Sequence, residues 1–406
     1  MASFDAAIAI RADYALAHAN RGTVLTALGR PHDALASFEH ALALAPDFPE
    51  AYVGRGNAFK ELNQLQPALE SYDRAVALRA DFAEAHFNRA IVLLLLGDLE
   101  AGWQAYEWRW RKPGGSAGKP RRDLPQPLWL GAESLEAKTL LIHCEKGLGD
   151  TLQFCRYVRL AAERRARVIL QVQAPLVELL SGLDGAAQVL SEESSPSGFD
   201  YHCPLLSLPL AFGTRLENIP APARYLSGDA GRSAEWRRRL GDTAPRIGLV
   251  WRGDPTNPDD RNRSVALQDM LPHLSPGARY FSLQKALTEA ERRAFESNPD
   301  LSIAAAELSF ADAAAVCECL DLVISVDTSI AHLSAALGRP TWILLPFSPD
   351  CRWLLGRDDS PWYPSVKLYR QARSGDWCDV LARVGADLTQ AFPRGEGVSA
   401  LRPPPG

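Results

Sequence analysis

A period of 34 residues runs through about the first hundred residues of this 406-residue chain. When the sequence is shifted by that period, Gly22 falls on Gly56 and Phe38 falls on Tyr72, and a third copy begins at Ala83. Small residues at fixed positions let paired helices approach closely, and the recurring aromatic ring fills the space between neighbouring pairs. The spacing therefore predicts an α-solenoid of helix pairs.

These small and aromatic positions resemble the tetratricopeptide repeat. About three copies are expected within residues 1–110, and the first is partial because Phe4 falls where Phe38 falls one period later. Either an incomplete helix caps the array, or longer forms of the protein carry more repeats upstream. The resemblance implies a groove that could hold a protein or peptide partner. Whether the repeats bind protein, self-associate or cover an active site is left open.

A basic segment rich in Pro and Gly follows the repeats. Between Trp108 and Arg122 there are six Lys or Arg residues and no acidic residue, and the Pro and Gly residues break any helix. Residues 111–136 are therefore predicted to form a linker. A solvated, flexible connector and a phosphate-attracting segment are both compatible with its composition.

Beyond residue 136, short apolar runs alternate with helical stretches, which is the pattern of parallel sheets covered by helices on both faces. The runs that predict buried strands are KTLLIHCE, ARVILQVQ, PRIGLVWRG, ARYFSLQK, DLVISVD and PTWILLP. They group into two α/β units, which we place at residues 137–230 and 244–393. The residues after these, 394–406, are rich in Pro and Gly and are predicted to be disordered.

Composition limits the possible partners and compartments. The net charge of −5 argues against nucleic acid as the main partner. The longest purely apolar run, Ala90 to Leu96, is far shorter than the roughly 18–20 residues that a membrane span needs. Asp5 and Arg11 interrupt any secretory signal, so we expect no transmembrane segment and a cytoplasmic location. The seven cysteines lack the spacing of a zinc site and are interpreted as free thiols, and no metal or other cofactor is expected.

One strand-to-helix junction, SVDTSIAH, brings Asp327, Thr328, Ser329 and His332 close together. Ligands of doubly wound sheets bind where strands end and helices begin, because the loops gather there and the helix offers free N–H groups. Thr328 or Ser329 is expected to cap the helix, and the amides of its first turn suit a phosphate or diphosphate. The alternative is that Asp327 and Thr328 form only a capping pair.

A second junction, EKGLGD, places Gly147, Gly149 and Asp150 between the first predicted strand and a helix. The two glycines permit a tight turn with close backbone approach, and Asp150 lands at the helix start. The stretch is not the dinucleotide-binding fingerprint, because the third glycine and the ribose-binding acid are missing. Asp150 is therefore either a catalytic carboxylate or a capping residue.

Cationic and amide side chains follow two strands of the second α/β unit. Arg252, Arg261 and Arg263 lie in a polar loop after RIGLV, while Gln284 and Lys285 end the next strand. All are candidates for donor binding. We predict that Arg263, Lys285 and the amides of the SVDTSIAH junction meet the negative charge that develops on a diphosphate-linked donor. The sequence contains no Asp-x-Asp, which argues against the metal-dependent single-domain sugar transferases.

Together, EKGLGD, DRNRSVAL, SVDTSIAHLSAALGRP and the strand order resemble the two-Rossmann (GT-B) glycosyltransferases, and within them the heptosyltransferase-like family 9, over about residues 137–393. The resemblance implies two Rossmann-like domains facing across a cleft. It also implies an inverting, metal-independent transfer of a sugar from a nucleotide-diphosphate donor to an acceptor hydroxyl, with Asp150 as the catalytic base. The residues that it assigns to the donor are Arg263 for the phosphate, Leu308 for the base, and Asp327, Thr328, Ser329 and His332 for the sugar and phosphates.

Two features depart from that family. Its members lack a repeat array, and their Asp-Thr is normally followed by Gly where this chain has Ser329. Repeats fused to such a fold are similar to the O-linked N-acetylglucosamine transferases, whose repeats present protein substrates. The donor sugar, a hexose or a heptose, is left open, as are its nucleotide base and the acceptor.

Two other functions stay open at this stage. The chain is alternatively a binding adaptor with a degenerate transferase domain, or another enzyme on the same fold, such as a nucleotide-sugar epimerase. The aromatic segment from Asp350 to Ser365 also has two interpretations. Trp353, Trp362 and Tyr363 either stack on the sugar or base, or pack the final loop of the domain.

Overall fold

The structure is a computed structural model that describes residues 1–115, 121–145, 147–241, 244–254, 260–304 and 308–393. The predicted tail, residues 394–406, and the side chain of Arg261 lie outside the described residues. The chain divides into two compact units. The first contains Met1–Asp123, Gly213–Asn218 and Phe347–Leu355, and the second contains Leu124–Phe212, Ile219–Pro346 and Gly356–Gly406.

The first unit is built from helices. In chain order they are α1 (Ala2–Ile10), α2 (Ala15–Ala27), α3 (Pro31–Leu44), α4 (Pro49–Glu61), α5 (Leu65–Leu78), α6 (Ala83–Leu96) and α7 (Leu99–Tyr106), followed by a 3₁₀ turn at Glu107–Arg111. Helices α2 and α3, α4 and α5, and α6 and α7 pack as successive pairs. Pro31 and Pro49 begin their helices, where a missing N–H is harmless. The prediction of a repeat array of helix pairs is confirmed.

One aromatic ring per copy explains the repeat period. Phe38 and Tyr72 are buried. A Cβ added to Gly22 would lie 2.8 Å from the ring of Phe38, and one added to Gly56 would lie 2.5 Å from the ring of Tyr72. Packed carbon atoms do not approach this closely. Glycine has no Cβ, so it leaves room for each ring between neighbouring helices.

A segment distant in sequence also packs on the repeats within the first unit. The Asn63 side chain donates from Nδ2 to the Phe347 carbonyl at 2.5 Å, and Cys351 and Leu355 pack on a buried cluster that includes Tyr72. Sequence analysis assigned this segment to the C-terminal α/β unit. A local pattern could not show otherwise, because Asn63 and Phe347 are 284 positions apart in the chain.

The predicted linker is only partly a connector. Its residues from Leu124 onward belong to the second unit. Trp129 is fully buried, and its backbone N–H donates to the His202 carbonyl at 2.8 Å. Burial of this large ring stabilises ordered structure within the stretch that was predicted as a linker. Residues 116–120 of the linker lie outside the described residues.

The second unit contains two parallel sheets. The strands of the first are β1 (Thr139–His143), β2 (Arg167–Val172), β3 (Ala186–Ser191) and β4 (Tyr201–Pro204), in the order β3-β2-β1-β4. The strands of the second are β5 (Arg246–Val250), β6 (Arg279–Ser282), β7 (Leu301–Ile303), β8 (Leu322–Val326), β9 (Thr341–Leu345) and β10 (Val366–Arg370), in the order β10-β9-β8-β5-β6-β7. The pairings between these strands are parallel.

Helices connect and cover these strands. In chain order they are α8 (Leu148–Phe154), α9 (Tyr157–Glu163), α10 (Val177–Leu180), α11 (Leu208–Ala211), α12 (Ala230–Leu240), α13 (Asp260–Arg263), α14 (Leu267–Met270), α15 (Glu289–Glu296), α16 (Phe310–Cys319), α17 (Ser329–Ala336) and α18 (Cys378–Ala391). Strands β8 and β9 are buried along their whole length, which is why their sequences are continuous apolar runs. The predicted α/β class, with two doubly wound parallel sheets after the helical repeats, is confirmed.

Within the described ranges, no helix is both long and apolar enough to cross a membrane. In that same part of the chain, no group of three or more His, Cys, Asp or Glu side chains is arranged to hold a metal ion. Cys317 is buried, and burial raises the pKa of its thiol to about 12. Such a thiol is unreactive at neutral pH, as expected for a packing residue.

Candidate functional site

The second sheet has a topological switch point between β5 and β8. These strands are neighbours, but the chain continues from β5 to β6 on one side and from β8 to β9 on the other. The connections therefore leave a crevice beyond the carboxyl ends of β5 and β8, where doubly wound proteins bind ligands. Strand β8 ends at Val326, and α17 begins three residues later at Ser329. The SVDTSIAH junction lies at this crevice.

The start of α17 differs from the predicted cap. Thr328 occupies the N-cap position, but its hydroxyl lies 3.0 Å from the Ser325 hydroxyl and makes no capping bond. The side chain of the N-cap residue Thr328 thus makes no hydrogen bond to the first turn of the helix. Backbone N–H groups at a helix start carry partial positive charge and suit an anionic ligand.

His332 is held from two sides inside the protein. Its Nδ1 atom lies 2.8 Å from the Tyr363 hydroxyl, and its Nε2 atom lies 3.6 Å from Asp327 Oδ1. The His332 side chain is only 3% exposed. The imidazole is therefore a fixed group beside the first turn of α17 rather than a mobile one.

Helix α8 follows β1 of the first sheet, and α17 follows β8 of the second. The first turns of these two helices meet at Gly149. A Cβ added to Gly149 would lie 2.9 Å from His332 Cδ2 and 3.7 Å from Ser329 Cα. Glycine is thus required for this approach. The contact brings the EKGLGD and SVDTSIAH junctions together, with Asp150 adjacent to Gly149 in the sequence.

Asp150 is half-buried at the third position of α8. Its Oδ2 atom accepts a hydrogen bond from the Gly147 N–H at 3.2 Å, so the residue does cap the helix. An ionised carboxylate has about four acceptor sites, and this bond uses one of them. The capping contact alone therefore does not decide between the structural and the catalytic interpretation. Lys146, which precedes this turn, lies outside the described residues.

Arg252 and Gln284, both predicted to bind the donor, make hydrogen bonds inside the fold. Arg252 Nη2 donates to Glu291 Oε2 at 2.8 Å. The Gln284 side chain accepts from the Arg252 N–H at 3.2 Å and donates to the Arg252 carbonyl at 3.1 Å. These bonds join the ends of β5 and β6, so both side chains have structural partners. The sequence alone did not reveal Glu291, which lies 39 positions after Arg252.

Glu291 is an ionised partner for this arginine. Burial of the carboxylate opposes ionisation, but hydrogen bonds from Arg252, Thr288 and Trp251 outweigh that effect and lower the pKa of Glu291 to about 2. The Trp251 indole N–H donates to Glu291 Oε1 at 2.7 Å. Arg252, Glu291 and Trp251 thus form a charge-balanced, hydrogen-bonded cluster.

The remaining predicted cations differ in their surroundings. Arg263 Nε lies 3.2 Å from Asp260 Oδ1, and this pair packs against Gly253. Lys285 is exposed immediately after β6 and has no charged or hydrogen-bonding partner in the described ranges. Leu308 is half-buried and directly precedes Ser309, the N-cap of α16. Residues 255–259 of the polar loop lie outside the described residues.

The large aromatic side chains of the segment from Asp350 to Ser365 are buried, so their ring faces are not exposed to a ligand. Trp353 is fully buried in the first unit, while Trp362 and Tyr363 are buried in the second. The structure thus favours the packing interpretation over stacking on a sugar or base. Tyr363 nevertheless reaches the site through its hydroxyl, which contacts His332.

Sequence reasoning missed Arg156, a buried residue between α8 and α9. Its guanidinium donates to the Pro220 carbonyl at 3.0 Å, to the Trp362 carbonyl at 2.5 Å and to the Tyr225 hydroxyl at 2.9 Å. These bonds join segments that carry the two sheets. A lone arginine within the apolar run LQFCRYV was the available signal, because a buried charge requires several partners.

The chain matches three family models. Two describe tetratricopeptide repeats, over residues 15–48 and 56–97. The third describes glycosyltransferase family 9 (heptosyltransferase), over residues 281–348. That match contains Lys285, Leu308 and the SVDTSIAH junction, whereas Asp150 lies outside it.

The chain is also similar to a curated protein and to solved structures. The chain is 29% identical to Protein FlbA of Caulobacter vibrioides (strain ATCC 19089 / CIP 103742 / CB 15), over 71% of this chain and 52% of that protein. It thus spans about half the length of the curated relative that it matches. Solved structures with similarity are MamA (25% identity, TM-score 0.26, 27% of this chain and 66% of that chain) and the glycosyl transferase family 9 from Veillonella parvula DSM 2008 (10% identity, TM-score 0.46, 59% and 88%).

The family models and the architecture agree in their order along the chain. The repeat matches fall on the helix pairs of the first unit, and the family 9 match falls on the sheet that carries the SVDTSIAH junction. Two doubly wound sheets are the architecture expected of the GT-B type. The chain therefore combines tetratricopeptide repeats with a glycosyltransferase family 9 region.

Proposed function

We propose that the chain is an inverting glycosyltransferase that moves a sugar from a nucleotide-diphosphate donor to an acceptor hydroxyl without a metal ion. The observation that carries the proposal is the contact of Gly149 with His332. This contact sets the start of α8, which carries the Asp150 carboxylate and follows the first sheet, against the start of α17, which follows β8 of the second. A carboxylate that could act on the acceptor hydroxyl and backbone N–H groups that could bind the donor diphosphate would thus lie close together.

The donor is proposed to lie at the start of α17. Its diphosphate would accept hydrogen bonds from the first-turn N–H groups, with the Lys285 ammonium and His332 as further donors. The nucleotide base would pack on Leu308, which precedes α16. As the bond between the sugar and the diphosphate breaks, negative charge grows on the leaving phosphate. Preorganised N–H groups stabilise that charge without a metal.

Asp150 is proposed to be the general base. Its carboxylate would take the proton of the acceptor hydroxyl while the hydroxyl oxygen attacks the anomeric carbon on the face opposite the diphosphate. One carbon–oxygen bond forms as the bond to the diphosphate breaks, so the configuration at that carbon inverts. The nucleoside diphosphate leaves with the bonding electron pair, and the proton stays on Asp150 until solvent removes it.

The acceptor is proposed to be a polypeptide held by the repeats. The support is the match of two repeat models and the similarity to the O-linked N-acetylglucosamine transferases, whose repeats present protein substrates. The sugar class, hexose or heptose, is not part of this proposal, because Ser329 replaces the glycine usual at that position in heptosyltransferases.

One observation favours the adaptor as a second candidate. Because Asp150 caps α8 through the Gly147 N–H, a purely structural role would also keep the carboxylate in place. On that account the repeats capture a partner and no sugar is transferred.

The substitution Asp150→Asn separates these two functions, because an amide oxygen still caps the helix but cannot act as a base. Purified chain is incubated with a panel of nucleotide sugars and EDTA, water serves as the acceptor, and released nucleoside diphosphate is measured. We expect a roughly 10²- to 10⁴-fold loss of turnover in Asp150→Asn. The matched control Asp229→Asn, which changes the N-cap aspartate of α12, should leave the rate unchanged. Equal rates in Asp150→Asn and wild type would eliminate the assigned base, and no release by wild type would favour the adaptor.

A further inference from the structure

An ion pair fills the space that a side chain would occupy at Gly253. This glycine is the third residue after β5, which ends at Val250, and Val250 pairs with Ser325 of β8. The Gly253 loop and the SVDTSIAH junction therefore leave neighbouring strands at the same edge of the sheet, beside the crevice. A Cβ added to Gly253 would lie 2.7 Å from Arg263 Nη2 and still closer to Asp260 Oδ1. Only glycine lets the pair approach the loop so closely.

Asp260 is fixed through both of its carboxylate oxygens. Its Oδ1 atom accepts from Arg263 Nε at 3.2 Å, and its Oδ2 atom accepts from the Ser264 hydroxyl at 2.9 Å. The Ser264 hydroxyl in turn accepts from the Gly253 N–H at 3.2 Å. The Asp260 side chain is only 11% exposed. The carboxylate is thus tied to the loop after β5 and forms a rigid support for the guanidinium.

The guanidinium of Arg263 keeps most of its donors for a ligand. An arginine has five N–H donors in a planar fork, and the bond to Asp260 uses the one on Nε. Among the residues that the structure describes, neither Nη1 nor Nη2 of Arg263 has a hydrogen-bonding partner. A guanidinium with both Nη groups available can bind two oxygen atoms of a phosphate at once.

We propose that Asp260 is a positioning residue that holds Arg263 with its Nη groups toward the crevice, where they bind the donor diphosphate. The inference rests on the proposed function, because that function places the diphosphate at the start of α17. An arginine that is held in place before the ligand arrives loses less conformational freedom on binding. Asp260 acts through Arg263 and does not itself touch the donor.

The substitution Asp260→Asn separates positioning from direct electrostatics. It deletes a negative charge near the diphosphate, so the direct charge effect alone would strengthen binding, whereas loss of positioning should weaken it. UDP, GDP, ADP and dTDP are titrated into the full chain in EDTA, below the unfolding temperature of every variant. For a nucleotide that binds wild type, we expect affinity to fall about 3- to 10-fold in Asp260→Asn and about 10- to 100-fold in Arg263→Ala.

A double substitution separates positioning from a general structural role. If Asp260 acts only through Arg263, Asp260→Asn should cause no further loss of affinity in protein that already carries Arg263→Ala. A general structural role would instead lower the affinity equally in both backgrounds. Arg263→Gln, which keeps a neutral donor beside Asp260, replaces Arg263→Ala in this comparison if the alanine variant does not fold.

The matched control is Asp321→Asn. Asp321 forms a partly buried pair with Arg246 at 3.5 Å, where β5 and β8 begin, so this pair lies at the opposite edge of the same sheet. The variant should bind nucleotide as wild type does, whatever its effect on the unfolding midpoint.

The outcomes distinguish the positioning role from the proposed function. Unchanged or tighter binding in Asp260→Asn would overturn the positioning role alone. An equal loss with and without Arg263→Ala, or an equal loss in Asp321→Asn, would also overturn it and leave the proposed function in place. If wild type binds none of the four nucleotides, the proposed function is contradicted and the positioning role falls with it.

Discussion

Substitution of Gly149 by alanine should destabilise the protein, because the starts of α8 and α17 lie too close together to admit a Cβ. The new Cβ would lie 2.9 Å from His332 Cδ2, whereas ordinary contacts begin near 3.4 Å, so the two helix starts must separate by roughly half an ångström. The imidazole cannot swing aside, because Tyr363 and Asp327 lie on either side of it. Overpacking of this kind costs about 1–3 kcal/mol.

The chain offers a matched control for this substitution. Gly231 occupies the second position of α12, just as Gly149 occupies the second position of α8. A Cβ at Gly231 would lie 3.2 Å from Asp229 Oδ1, which caps the helix, and this is a looser contact than the 2.9 Å at Gly149. Both substitutions gain helix propensity, by up to about 1 kcal/mol. The difference between the two variants therefore isolates the clash with His332.

The assay is thermal unfolding of the full chain. For a difference of about 1–3 kcal/mol, the midpoint of Gly149→Ala should lie roughly 2–12 °C below that of Gly231→Ala. Nucleotide binding should weaken only in Gly149→Ala, because the clash moves His332. Equal midpoints in the two variants would refute the close contact between the helix starts.

Two further predictions follow from the charged residues of the second sheet. Because Glu291 has a folded-state pKa of about 2 against an ordinary 4.5, it contributes stability that is present above about pH 4.5 and is lost as the pH falls toward 2. Glu291→Gln should therefore make the acid side of the stability–pH profile shallower, and parallel profiles for variant and wild type would contradict the assigned pKa. Lys285→Ala should weaken nucleotide binding by about 10- to 100-fold without changing thermal stability, because the ammonium is exposed. Lys138→Ala, which removes an exposed lysine near Asp200, is the control and should bind as wild type does.

The sequence predicted the elements whose signal is local. The repeat is visible because Phe38 and Tyr72 each need glycine at a fixed distance along the chain. The buried strands β8 and β9 are visible because both faces are covered, which leaves continuous apolar runs. Strand β3 was missed because its residues are partly exposed, and β7 was missed because it has only three residues.

Features that depend on distant partners could not be predicted in this way. The ion pair of Arg252 with Glu291 joins residues 39 positions apart. The Phe347–Leu355 segment looked like part of the second sheet unit, but it packs on the repeats. The Tyr363 hydroxyl contacts His332, which lies 31 positions earlier in the chain. In each case, the pairing of groups far apart in the sequence determines the role, and residue type and spacing do not encode that pairing.

Calorimetric titration of nucleotides into wild type in the presence of EDTA tests the central claim most directly, namely that the start of α17 binds a nucleoside diphosphate without metal. The account predicts that at least one of UDP, GDP, ADP or dTDP binds. At a concentration of about 100 times its dissociation constant, that ligand should stabilise the fold by about 2.7 kcal/mol. Binding that appears only when a divalent cation is restored would contradict the metal-independent mechanism. Absence of binding under both conditions would contradict the donor site itself.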